Sequence, residues 1–369
     1  MGLIRLLLAL SVVIDHSTPI FGLTMVGGAV AVKAFYIISG FYMSLILNEK
    51  YTGRNSYKLF ISNRFLRLYP VYWAVLTLTL LAALVAFILT HHTQAGALQP
   101  YIDYLQHSTL PISTSVFLFI TNLIFFGQDL VLFLGIHTGS GTLFFTSNFN
   151  QTAPPLHSFM LVPQAWTIAV ELLFYLIAPF LVRKRVGLIL LLIAASIALR
   201  LLAYSHGLNH DPWTYRFFPF ELAFFLMGNL SYRIYRRLRQ TDYLQRAGRK
   251  AYMPIGLVML MTLVYQWVSL PYKSLFYYAL VFVLVPFIFL KTKSLRLDGA
   301  IGELSYPVYI SHILVISLIV LAFPKSPQLG LEAAILTILL SIALNVLIAL
   351  PVERIRQRRV RIDTEPGVL

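Results

Sequence analysis

Apolar runs of about 20 residues, the length that crosses a hydrocarbon core as a helix, recur from one end of the chain to the other. They fall at 3–22, 27–47, 70–89, 164–182, 186–204, 214–233, 252–270, 274–290, 300–322 and 331–350. Short basic blocks separate them: Lys50 to Arg67, Arg183-Lys184-Arg185, Arg233 to Lys250, Lys291 to Arg296 and Arg354 to Arg361. These blocks hold 23 of the 29 Lys and Arg residues, the distribution expected of loops kept on the cytoplasmic side. All five share a side only if an even number of crossings separates each pair. Segment 91–163 carries no Lys or Arg and is expected outside. Its apolar stretch 114–127 is too short to span, and a single crossing there would put Arg183-Lys184-Arg185 on the wrong side. It therefore reads as a re-entrant or partly buried element, paired with 130–136. The pattern predicts an all-α integral membrane protein, a bundle of about ten transmembrane helices with both termini cytoplasmic.

Composition sharpens that picture. Of 369 residues, 58% are hydrophobic and only 12% charged, about half the charge of a soluble domain, and the mean hydropathy is +0.77. The length is consumed by the apolar runs, so 1–369 reads as a single membrane domain with no attached soluble domain. A net charge of +15 could suggest nucleic acid, but the basic residues form no continuous face to track a phosphate backbone. The absence of cysteine excludes disulfides, thiolate nucleophiles and thiolate metal sites, and no metal site is expected. The apolar N-terminus lacks a small-residue cleavage site and contains Asp15 and His16, so it reads as a retained first span.

Charged groups inside a bilayer are costly and mark function by default. Arg5 falls at the inner boundary of the first span, and His16 lies eleven residues on, about 16 Å deeper and on nearly the same helix face. Glu171 and His312 come to similar depth, and Lys33, Arg200 and Glu221 fall in the outer half. Arg5, Arg64, Arg67 and Glu303 form a second layer near the cytoplasmic face. Two polar layers joined through the membrane imply a cavity. Taken singly, each has a bland reading. Arg5 could snorkel, either His could be an interhelical hydrogen bond, Arg64 and Arg67 could be ordinary positive-inside charge, and Lys33, Arg200, Arg216 and Glu221 read best as structural ion pairs.

Ordered motifs decide between these readings. They are Arg5 to His16 (RLLLALSVVIDH), VKAFYIISGFYMS at 32–44, RFLRLYP at 64–70, WTIAVELLFYLIAP at 166–179, GELSYPVYISH at 302–312 and PVERIR at 351–356. In this order the chain resembles acyltransferase family 3, integral membrane proteins that O-acylate, usually O-acetylate, sugars. Thr167 replaces the more usual Ser, and Leu172 stands where a polar residue is common. The resemblance implies acyl-coenzyme A, most often acetyl-coenzyme A, as a donor substrate, no permanently bound cofactor, a carbohydrate acceptor such as a surface polysaccharide or lipid-linked sugar, and the bacterial inner membrane.

On that reading Arg5, Arg64 and Arg67 bind the donor, their guanidinium forks matching its phosphates. His16 is the candidate general base, and Glu171 is expected to orient it. Trp166, Lys33, Ser305, Tyr306 and His312 are candidate site-lining residues. An acyl-enzyme intermediate stays open, although no G-x-S-x-G elbow is present. The rival reading, a secondary transporter or flippase for a polar or anionic solute, would also place ionisable groups around a midplane cavity. The lack of inverted repeats and the ordered motifs count against it.

Overall fold

The structure, a computed structural model, describes residues 1–364 except 54, 92, 242 and 244–246, and no side chain of 249 or 361–364. Arg54 and Arg246 of the basic blocks therefore lie outside the described residues. All ten apolar runs are helical, but they are unequal. Helix α1 spans Gly2–Asp15, α2 Gly28–Glu49 and α3 Ser56–Leu89; α7 spans Trp166–Leu181, α8 Val186–Ser205 and α9 Phe218–Leu238. Helix α10 spans Met253–Val264, α11 Lys273–Thr292, α12 Arg296–Ala322 and α13 Leu329–Leu344, which runs through a π turn at Asn345–Ala349 into α14, Leu350–Thr364. Among the described residues seven helices are long and apolar enough to cross a membrane, not ten. Helix α1 has only 14 residues and α10 only 12, while α9 carries Glu221, Asn229 and Arg233.

The expected 3–22 span stops early for a local reason. After His16 come Ser17, Thr18 and Pro19, whose hydroxyls compete for backbone partners and whose ring cannot continue a helix; Ser17 Oγ donates to Val13 O at 2.7 Å. The chain then turns into α2 through Gly27 at φ 74°. The Asp15 carboxylate stands against that N-terminus so closely that a Cβ on Gly28 would lie 2.7 Å from Asp15 Oδ2. Acid at a helix N-terminus is favourable.

Helix packing relies on small residues at the crossings. At the α2–α9 crossing a Cβ on Gly40 would meet Phe225 O at 1.9 Å, and one on Gly228 would meet Ile37 O at 2.1 Å. Helices α1 and α12 meet at Gly2 and Gly302, where a Cβ on Gly302 would lie 2.8 Å from Gly2 Cα. Asp298 caps α1 by accepting from Gly2 N at 2.8 Å and Leu3 N at 3.1 Å. Helix α8 buries only Ile189 and Ser196, as an outer, lipid-facing helix should.

The basic blocks meet at one end of the bundle. Arg183 donates to Leu47 O and to Tyr51 O at 2.8 Å, Arg233 to Val182 O at 3.2 Å, Lys293 to Tyr235 Oη at 3.2 Å and Arg359 to Ser62 Oγ at 2.8 Å. Arg183 and Arg233 here close open carbonyls at helix C-termini, a usual role of basic side chains.

Segment 91–163 folds at the other end. It contains α4 (Gln99–His107), α5 (Ile112–Ile124), the short α6 (Gln128–Val131) and an antiparallel pair, β1 (Leu134–Ile136) with β2 (Leu143–Phe145). Helix α5 presents Ile112, Val116, Phe119, Ile120 and Leu123 outward. Its C-terminal carbonyls are taken by α3: Tyr69 Oη donates to Ile124 O at 2.5 Å, Trp73 Nε1 to Leu123 O at 2.9 Å, and Tyr72 Oη to Asn122 O. Those donors begin two residues beyond Arg67, so the end of α5 reaches down the bundle to just above the basic end. The chain reverses there at Phe125 and Gly127, both with positive φ.

Candidate functional site

A cavity of about 980 Å³ enters the bundle from the basic end, between α1, α2, α3, α7, α12 and α14. Arg5, Arg64, Arg67, Arg239, Lys293 and Arg356 face it, with Glu49, Asp298, Glu303 and Glu353. Half of these cations are paired with carboxylates. Arg67 meets Glu303 at 3.3 Å, Arg239 meets Glu49 at 3.1 Å, and Arg356 meets Glu353. Arg5, Arg64 and Lys293 have no carboxylate partner among the described residues, and of the three only Arg64 is buried. It is 5% exposed, packs its guanidinium over Phe60 at 5.7 Å and Tyr175 at 6.0 Å, and has no carboxylate partner and an unpartnered Nε among the described residues. Its position follows from α3: Phe60, Arg64 and Arg67 recur at helical spacing and share a face. Arg5 stands across the mouth, 5.7 Å over the Tyr42 ring.

Higher up, the wall is polar but not cationic. Ser39 Oγ and Tyr175 Oη both donate to Glu171 Oε1. Ser305 and Tyr306 also line the cavity; Tyr306 Oη donates to Leu68 O at 2.8 Å. This arrangement explains the Ser39-Gly40-Phe41 motif. Ser39 holds the acid, Gly40 admits α9, and Phe41 packs edge-on to Phe289 at 5.1 Å and Tyr235 at 5.7 Å.

Tyr36, Thr167 and Tyr309 close the top. Thr167 Oγ1 donates to Tyr309 Oη at 2.8 Å, and Tyr309 Oη reaches Gln164 O at 3.3 Å. Beyond this roof stand two histidines that do not line the cavity. His16 caps α1 and is exposed, while His312 is wholly buried. Their ring centroids lie 5.0 Å apart, and Tyr309 is 5.8 Å from His312, so Tyr309 touches both compartments.

The structure thus brings Arg5, Arg64, Arg67, Glu171, Ser305 and Tyr306 around one cavity and sets His16 with His312 above it. The expected orientation of His16 by Glu171 is not what the structure holds: the acid is engaged by Ser39 and Tyr175, and the neighbour of His16 is His312. Depth estimated along single helices missed the tyrosine layer between them. Lys33 and Trp166 also stand apart from the cavity. The Lys33 ammonium lies over Phe224 at 5.8 Å and Tyr278 at 6.0 Å, near the Arg200–Glu221 pair at 2.7 Å. Trp166 packs under Arg216 at 4.3 Å, and Arg216 pairs with Asp211 at 2.6 Å. Tyr36, Ser39, Tyr175, Tyr309 and Arg356 are site residues the sequence reading passed over. All lie within or beside its motifs, where they read as aromatic packing, helix contact or positive-inside charge.

Outside the membrane helices, His157 is held below its ordinary range by burial and by the Arg216 charge. Its Nδ1 is buried without a partner among the described residues. Among those residues no three His, Asp or Glu side chains converge as a metal site.

A family model described as an acyltransferase domain matches residues 1–354. Among curated proteins and among solved structures nothing matches the chain.

Proposed function

The chain belongs to this acyltransferase family, and on that premise we propose that it is an O-acyltransferase that takes an acyl group, acetyl in the first instance, from acyl-coenzyme A at the basic end and passes it to a carbohydrate hydroxyl at the other. The observation that carries this reading is the buried, unpaired Arg64 in the wall of a cavity whose mouth is ringed by cations. A guanidinium withdrawn from water without a counter-ion is costly, and a phosphate ester entering the cavity supplies the missing charge. Arg5, Arg67 and Arg356 surround the same mouth. Above them the polar wall around Ser39, Glu171 and Tyr175 suits a pantetheine arm, whose amide N–H groups find an acceptor in Glu171.

The same reading places the basic end in the cytoplasm, where acyl-coenzyme A is made, and segment 91–163 outside, in a bacterial inner membrane. Helix α5 is then a re-entrant element, its deep carbonyls satisfied by Tyr69, Tyr72 and Trp73 because lipid offers no hydrogen bond. For transfer, the thioester passes the tyrosine roof to meet His16. His16 Nδ1 donates to Val12 O at 2.9 Å, which leaves the Nε2 lone pair free to act as base. The hydroxyl oxygen attacks the thioester carbonyl carbon while His16 takes its proton; the C–S bond breaks, and the proton passes to the departing thiolate.

The test is donor affinity. Arg64→Ala and Arg67→Ala should each remove a charge-assisted contact of roughly 1.5–3 kcal/mol, weakening acetyl-coenzyme A binding in detergent by about ten- to a hundredfold. A folded double variant with wild-type donor affinity would overturn the reading.

A further inference from the structure

Two histidines sit in contact beyond the roof, and only His16 has a part in the transfer described above. His312 Nδ1 donates to Tyr309 O at 2.6 Å. A carbonyl can only accept, so Nδ1 carries the proton and Nε2 is a bare lone pair. That Nε2 is buried and has no partner among the described residues. His16 is fixed the same way by Val12 O. The two rings, 5.0 Å apart, therefore each offer an acceptor and no donor. No hydrogen bond joins them in this state, and a proton added to either gives the pair the donor it lacks.

The carboxylates that could have backed His16 are engaged elsewhere. Glu171 is held by Ser39 and Tyr175, and Asp15 stands at the α2 N-terminus. An unsatisfied buried acceptor calls for an explanation, and the titratable ring in contact with it is His16.

We propose that His312 is the positioning residue of His16: a neutral imidazole whose Nε2 shares, as the second acceptor of a three-centre bond, the N–H that His16 gains when it deprotonates the acceptor hydroxyl. The inference rests on the transfer chemistry proposed above and specifies what stabilises its imidazolium. When His16 returns the proton to the thiolate, the His16–His312 bond is lost and both lone pairs are restored, so the pair holds one proton per turnover and consumes none. A neutral partner suits a site in lipid. It stabilises the transient cation without a permanent buried anion, which would be costly and would hold His16 protonated between turnovers.

The experiment uses the full-length protein in detergent with acetyl-coenzyme A as donor and glycerol or water as hydroxyl nucleophile. Coenzyme A thiol release is read directly, because the chain has no cysteine. His312→Leu removes the lone pair and keeps an apolar fill; His312→Gln keeps an acceptor without basicity. The Leu variant should lose about a hundredfold in kcat, the low end for losing acid–base support. Its KM for acetyl-coenzyme A should hold, since His312 does not line the donor cavity; both variants give up the Nδ1–Tyr309 O bond, so the comparison between them isolates the acceptor. The Gln variant should recover at least a tenth of the wild-type kcat. A folded Leu variant above a third of the wild-type kcat, or Gln and Leu variants equally inactive, overturns the pairing while leaving the transferase reading intact. A wild-type protein that releases no thiol overturns that reading, and the pairing with it.

Discussion

His157 shows how a single buried side chain ties the outer segment to pH. Burial and the Arg216 charge depress its proton affinity in the fold, so the unfolded chain binds the proton more readily. The stability this contributes is present above the ordinary histidine value near 6.5 and is lost as pH falls below it. The melting temperature of wild type should therefore drop more steeply than that of His157→Gln between about pH 7 and pH 5. Parallel melting curves over that range would contradict this. At this scale the sequence was legible where an ionisable group stood alone in an apolar run, as with Arg5 and His312, and where a motif singled out a basic residue, as with Arg64. It was illegible where function depends on what a group faces. Nothing in WTIAVELLFYLIAP says that Glu171 turns to Ser39 rather than His16, because that choice is made by how α2 and α7 rotate against each other. Arg356 was hidden for a related reason: a basic residue at a helix exit is common, and only the fold shows it facing the cavity.

Element contacts depend on close backbone approach, and the α2–α9 crossing is the tightest test of it. Gly40→Ala would force a methyl to within 1.9 Å of Phe225 O, and Gly228 on the facing helix leaves no slack. Overpacking of this kind costs about 1–3 kcal/mol or more, and it would also tilt Ser39 away from Glu171. Gly256→Ala in α10, where a Cβ meets nothing within 4 Å, should be neutral or slightly stabilising. Thermal melts in one detergent check the pair, and an equal response of the two variants would count against the crossing. Helix positions were legible from the apolar runs, yet helix lengths were not. Run 3–22 contains the breaker series Ser17-Thr18-Pro19, which ends α1 at Asp15, and hydropathy alone averages over it. The α5 segment was legible as too short to span. Its depth was not, since that is set by hydrogen bonds from Tyr69, Tyr72 and Trp73.

At the scale of the whole molecule, donor and acceptor are proposed to meet from opposite ends. The charge segregation that predicted one basic end reappears as blocks that touch there, with Arg183 on Tyr51 O and Arg359 on Ser62. The cavity opens from that end and stops at the Tyr36–Thr167–Tyr309 roof, with the histidines beyond it. A one-dimensional sequence could suggest two polar layers but not the partition between them. Oriented proteoliposomes test the claim directly. Labelled acetyl-coenzyme A is supplied only on the side bearing the basic end, and a hydroxyl acceptor is trapped on the other. Thiol release is expected on the donor side with acetyl ester on the trapped acceptor, and neither when the donor is supplied from the acceptor's side. Ester formed only when donor and acceptor share a side would contradict the meeting from opposite ends.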